Sequence, residues 1–303
     1  MRVVEVTAQG GPEVLQVAER PDPVAGDGQV VVAIRAANVN PTDLGARMGH
    51  SPRGLPDPPY VLGWDFAGEV ASVGAGVSDV APGDRVVGMV QWYDAGGLVG
   101  AYAEQIAAEA DWLVPLPDDV DFETAATIPL NGLTAMQGLE LLDLPSGASL
   151  LVTGASGAVG AFAVQLAAAA GLRVVAQAST GDEDWVRSLG PAEVIGRDAD
   201  LSALEVDAAF DAVPLGEPVH AAVRDGGAIV TTRRVPDPDP ARGIRAQVFL
   251  IHHDREQLRR LVADVAAGRL KTRIDRVLPL EQAAEAHRLN EAGGLRGKVL
   301  LAP

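Results

Sequence analysis

The chain contains no cysteine among its 303 residues. That excludes disulfides, thiolate nucleophiles and cysteine-ligated metal. Basic runs are missing too: 24 Lys and Arg stand against 41 Asp and Glu, a formal charge of −17. Nucleic acid and anionic membrane both need a basic footprint, so neither is expected as a partner. There is no long apolar run, and residues 1–11 already read as a strand, so no signal peptide or membrane span is visible. A cytoplasmic location is the default expectation.

What is present is apolar bulk. At 48 % hydrophobic residues, the chain can fill two domains, each with its own core. Residues 1–115 are short strands punctuated by Gly and Pro: a hairpin over 1–18, then strands over 29–36, 60–74, 82–90, 101–106 and 112–115. That texture reads as a small barrel-like β domain. At about residue 118 it changes, and 118–142 is helix-rich. Alternating strands and helices follow, with strands at 207–213, 228–232 and 246–251, helices at 255–267 and 282–289, and a last strand at 297–302.

The most informative stretch is 149–179, SLLVTGASGAVGAFAVQLAAAAGLRVVAQAS. It reads as strand, glycine turn, alanine-rich helix and second buried strand. Gly154 permits the tight turn, Gly157 the close approach of a pyrophosphate, and Gly160 close helix–strand packing. The helix N-terminus offers free N–H groups to phosphate, so Ala155, Ser156, Ala158 and Val159 are expected to line a dinucleotide. A NAD site carries an acid at the end of the second strand. Here Ser179 and Thr180 stand there, neutral hydroxyls that favour NADP(H), with Arg187 the nearest base to hold a 2′-phosphate. The acids Asp182, Glu183 and Asp184 argue the other way.

The order of motifs carries a resemblance. VNPTD (39–43), GWDFAGEV (63–70), PGDRVVG (82–88), GAYAEQ (100–105), IPLNGLTA (128–135), the glycine turn and GKVLLA (297–302) resemble the zinc-independent quinone oxidoreductase family of the medium-chain dehydrogenase/reductase superfamily. The resemblance implies an α/β chain with two domains. One is a GroES-like catalytic domain built from 1–118 and 267–303. The other is a Rossmann NADP-binding domain with a doubly wound parallel sheet over 119–266. It also implies a homodimer, a quinone or enone as small-molecule substrate, and direct hydride transfer. Against the zinc-dependent cousins, Asn40 and Trp64 stand where zinc ligands are carried and Leu130 near the third, so no catalytic zinc site is expected.

The same resemblance nominates site residues. Asn40 matches an active-site asparagine whose amide would donate to a substrate oxygen; alternatively it is a turn asparagine. Asp43 reads as holding the fold. Asn131 and Thr134 match positions near the nicotinamide, with Thr134 alternatively bonding its own helix. Trp64 and Trp92 would wall a flat substrate pocket or sit in a core. Val213 should pass the cofactor, and Val248, Phe249 and Leu250 resemble a segment that closes over the nicotinamide and pairs subunits. The substrate loops are 45–60 and 89–100. Two other readings stay open. One is an enoyl-thioester reductase; the other is a non-catalytic NADPH-binding structural or sensor protein.

Overall fold

The computed structural model describes residues 1–51, 53–97 and 99–303. Positions 52 and 98, in the two expected substrate loops, lie outside the described residues. The N-terminal hairpin is β1 (Arg2–Val6) with β2 (Leu15–Glu19). Then come β3 (Gln29–Asn38), α1 (Pro41–Arg47), β4 (Tyr60–Val61), β5 (Asp65–Val73), β6 (Arg85–Met89), β7 (Gln105–Glu109) and β8 (Leu113–Pro115), followed by α2 (Phe122–Ala126) and α3 (Pro129–Leu142). The alternating region runs β9 (Ser149–Thr153), α4 (Ala158–Ala169), β10 (Arg173–Ala178), α5 (Glu183–Arg187), β11 (Glu193–Gly196), β12 (Val206–Asp211), α6 (Glu217–Ala222), β13 (Val223–Thr231) and β14 (Arg245–Val248). The order finishes with α7 (Arg255–Ala266), β15 (Ile274–Pro279), α8 (Ala283–Ala292) and β16 (Lys298–Ala302).

The chain forms two units. The first comprises Met1–Leu130, His253–Ala267 and Arg273–Pro303; the second comprises Asn131–His252 and Gly268–Thr272. These boundaries differ from the expected 118/119 and 266/267. Residues 119–130 stay with the first unit because Ala125 and Ala126 of α2 are fully buried there, against β3 and β5. The helix α7 also belongs to it. Arg255 donates to the Leu113 carbonyl at 3.0 Å and pairs with Asp79.

In the first unit, β3 is the central strand. Its ten residues QVVVAIRAAN are mostly buried, and β5 lies antiparallel along one edge. The other edge is shared by β7 at its start and β16 at its end. A separate sheet has the order β2-β1-β4. The strand β15 was not expected, because Asp275 and Arg276 break the apolar alternation; it survives as an exposed edge strand parallel to β16. The expected strand at 101–106 starts only at Gln105, since Ala101 and Tyr102 bond instead to Gly63 and Leu62.

The second unit is a six-stranded parallel sheet of order β11-β10-β9-β12-β13-β14. Its core packs Leu151, Val175, Ala209 and Ile229 of the sheet against Val219 and Ala222 of α6. Strand order reverses between β9 and β12, and dinucleotides bind at the carboxyl ends beside such a reversal. The last strand stops at Val248 rather than 251. Phe249 turns to face the Phe210 ring, 6.4 Å away, and the Gln137 amide holds both the N–H and the carbonyl of His252.

Candidate functional site

In the second unit the turn from β9 into α4 has the geometry of an anion cradle. Gly154 takes φ +61°, and a Cβ on Gly160 would sit 2.2 Å from the Gly154 carbonyl oxygen. The helix therefore lies against the turn as only glycine allows. Gly157 is exposed at the N-cap of α4, and a Cβ there would meet nothing nearer than 3.4 Å, so its place is open on the outer side. No side chain caps α4, which leaves the first-turn N–H groups of Ala158 and Val159 available to phosphate. Two expected donors are corrected. The Ala155 N–H already donates to Gln177 and the Gly157 N–H to Gly154. The residues present fit a pyrophosphate through the first turn rather than through Ala155.

At the ribose end, Ser179 is half-buried and its N–H donates to the Ser156 hydroxyl at 2.9 Å, tying the end of β10 to the glycine turn; Thr180 is exposed. All three neighbouring acids are occupied locally. Asp182 is buried, Glu183 accepts from the Gly181 N–H, and Asp184 pairs with Arg187. That pairing is a correction for Arg187, whose guanidinium is engaged on the outer face of α5. Val213 is 46 % exposed and its side chain would meet a Cβ on Gly154; Phe249 is half-buried and Leu250 exposed. Asn131 and Thr134 lie one turn apart on α3, both buried.

In the first unit Asn40 is fully buried, and its amide is engaged on both sides. Its Oδ1 accepts from Lys298 Nζ at 2.9 Å and from Asn38 Nδ2 at 3.1 Å. Its Nδ2 donates to Asp65 Oδ2 at 2.8 Å, which also accepts from Asn38, while Asp65 Oδ1 accepts from the Leu130 N–H. In this arrangement Asn40 does not reach a substrate, so the expected direct donation is corrected to a structural role. Asp43 behaves as expected of a fold-holding residue: it accepts from the N–H groups of Asn40 and Gly63. Burial pushes Asp43 up to about 8 and Asp65 up to about 6, and lowers Lys298 to about 8. Sequence reasoning missed Lys298 and Asp65 as a site; both stood inside quoted motifs, GKVLLA and GWDFAGEV, without a role.

The aromatic residues form one cluster. Trp92 is 1 % exposed, donates its Nε1 to the Val61 carbonyl, and packs on Tyr60, Trp64 and Tyr93. Trp64 is 5 % exposed. Both are core, which corrects the expectation of two pocket walls. The polar rim of this cluster is the hydroxyl pair of Thr42 and Tyr93, 3.3 Å apart and half-buried. Among the described residues, no group of three or more His, Asp or Glu is placed to hold a metal ion.

Comparison with known proteins agrees with this geometry. Residues 26–118 match the alcohol dehydrogenase GroES-like domain, and residues 161–301 match the zinc-binding dehydrogenase family. The quinone oxidoreductase of Sus scrofa is 31 % identical, over 99 % of this chain and 97 % of its own length. The chain belongs to the quinone oxidoreductase family of the medium-chain dehydrogenase/reductase superfamily. Within this family of oxidoreductases, it is also similar to the chloroplastic NADPH-dependent alkenal/one oxidoreductase of Arabidopsis thaliana, 31 % identical over 91 % of this chain and 72 % of that one. The structure of Escherichia coli quinone oxidoreductase complexed with NADPH superposes with a TM-score of 0.87 at 27 % identity, covering all of both chains.

The buried cluster yields a stability prediction. Asp65 sits at about 6, above its ordinary 3.8, so folding favours its protonated form. That contribution is full below pH 3.8 and is lost as the pH rises through 6. Above pH 6, Lys298→Met leaves a buried carboxylate without its cation and should cost about 3 kcal/mol. Urea denaturation should show a clearly smaller loss at pH 5 than at pH 7, where Asp65 is ionised and Lys298 still charged. An equal loss at both would show that Lys298 contributes packing rather than charge.

Proposed function

We propose that this chain is an NADPH-dependent reductase of electron-poor double bonds, in quinones or α,β-unsaturated carbonyl compounds, working without zinc. The observation that carries the reading is the open glycine turn at α4, joined through Ser156 to a neutral ribose end at Ser179. NADPH, when bound, supplies a hydride from its nicotinamide to the β-carbon or quinone ring. The first turn of α4 binds the pyrophosphate. Thr134 and Asn131 are assigned to the nicotinamide end, as the family pattern suggests, and Val213, Phe249 and Leu250 to the segment passing it.

The zinc-independent part rests on residue chemistry. Asn40 and Trp64 occupy the cousins' ligand positions and Leu130 lies near the third. Here Asn40 is bound to an ammonium, Trp64 lies in an aromatic core, and Leu130 contributes a backbone N–H to Asp65. The charge developing on the substrate oxygen then needs a hydrogen-bond donor. With Asn40 withdrawn, the Thr42–Tyr93 hydroxyl pair is our assignment for it, and the proton on carbon comes from solvent.

A homodimer fits the exposed β14, whose outer edge is unpaired among the described residues and ends in exposed Val248, with exposed Leu250 just beyond it. No helix among the described residues is long and apolar enough to cross a membrane; with the acidic composition, we favour a cytoplasmic protein.

The decisive experiment is a screen of NADPH oxidation with quinones, enones and enoyl-CoA thioesters, together with elemental analysis. Turnover of quinones or enones with no stoichiometric zinc is expected. Activity confined to enoyl thioesters would favour the second enzyme reading, and absence of all turnover would favour the non-catalytic one. Gly157→Val should raise the NADPH dissociation constant at least about tenfold, roughly 1.4 kcal/mol, with an unchanged denaturation midpoint; an unaltered constant would remove the turn from the cofactor site. Tyr93→Phe should lower kcat on the order of a hundredfold with the Michaelis constant for NADPH unmoved. An unchanged kcat would discard Tyr93 as the donor.

A further inference from the structure

We infer that Arg197 is the residue that selects NADPH over NADH, by binding the 2′-phosphate. The inference rests on the NADPH reading above and adds to it the cation which that reading lacked. Arg187 is the poorer candidate, because its guanidinium already pairs with Asp184. Arg197 was not among the expected site residues, being eighteen positions beyond Ser179 in sequence. The sheet brings their strands side by side.

The strands β10 and β11 run parallel, with Gln177 opposite Ile195 and Ala178 opposite Gly196. Ser179 and Arg197 are the residues that directly follow this last pair, at the carboxyl ends of strands that lie about 4.8 Å apart. The Gln177 side-chain amide donates to the Arg197 carbonyl at 3.0 Å, which ties Arg197 to β10. Both residues thus leave the sheet at the carboxyl end beside which dinucleotides bind, and an arginine is long enough to span one strand spacing.

The electrostatics agree. This is an acidic chain in which many arginines are held by carboxylates, among them Arg2, Arg187, Arg224 and Arg242. Arg197 is exposed, and among the described residues its guanidinium has no hydrogen bond or ion pair. Asp198, the next residue, is exposed and forms no ion pair with it, and Asp200, three residues on, is turned away to the N–H and hydroxyl of Ser202. An unpaired guanidinium presents a planar fork that matches phosphate oxygens. Ser179 and Thr180 add neutral hydroxyls beside it, and the local carboxylates of Glu183 and Asp184 are already bonded.

Calorimetric binding of 2′,5′-ADP and 5′-AMP separates this placement from the reading it rests on. The wild type should prefer 2′,5′-ADP by at least about tenfold. Arg197→Ala should erase the preference while leaving 5′-AMP affinity unchanged, which also shows that the adenosine site is still folded. Arg197→Lys should keep part of the preference, and Arg187→Ala all of it. A preference that survives in Arg197→Ala overturns the role of Arg197 alone. A wild type with no preference overturns the NADPH reading and the proposal together.

Discussion

One ammonium group organises the first unit. A buried charge is tolerated only when its surroundings answer it, and Lys298 is answered by the Asn40 carbonyl oxygen and the nearby Asp65 and Asp43 carboxylates. That bond sets which way the Asn40 amide faces. Its nitrogen end is then directed at Asp65, and the other Asp65 oxygen holds the Leu130 N–H at the beginning of α3. A single cation thus orients side chains on β3, α1, β5 and the entry to α3.

How much of this was legible in the sequence depended on whether a residue acts through backbone geometry or through burial. The glycine turn was legible because its spacing is a backbone property: Gly154 and Gly160 do what their positions imply. The availability of N–H groups was less so. The bond from Ala155 to Gln177 joins the turn to the neighbouring strand, which no local pattern reports. Asn40 shows the limit of a motif. A motif does not say that Asp65 and Lys298, from distant segments, close around it together with nearby Asn38. For Trp64 and Trp92 the sequence left pocket wall and core equally open, since each looked isolated there, whereas they touch each other in space.

Lys298 was overlooked because a lysine at the edge of an apolar run reads as the exposed end of a strand. Arg197 was overlooked because sequence distance hid a strand-to-strand neighbour. The expected domain boundary at residue 118 followed composition, whereas the structural boundary follows what α2 and α7 pack against. Texture reports secondary structure; membership of a core is decided by contacts with segments far along the chain.

The separation of those segments has a consequence for how the protein comes into being. Lys298 meets Asn40 across 258 residues. The second unit is nearly continuous in sequence, so most of its contacts are available once residue 252 has been made. The first unit is interrupted by that whole insertion. During synthesis β3 is without its β16 neighbour, and the Asn40–Asp65 cluster is without its cation, until the last stretch of the chain emerges. Contacts this distant are slow to form because a long loop must first close. The half of the molecule encoded first is therefore the half that matures last, and a chain released from the ribosome only as far as residues 272–298 can have its nucleotide-binding half complete while its other half is still open.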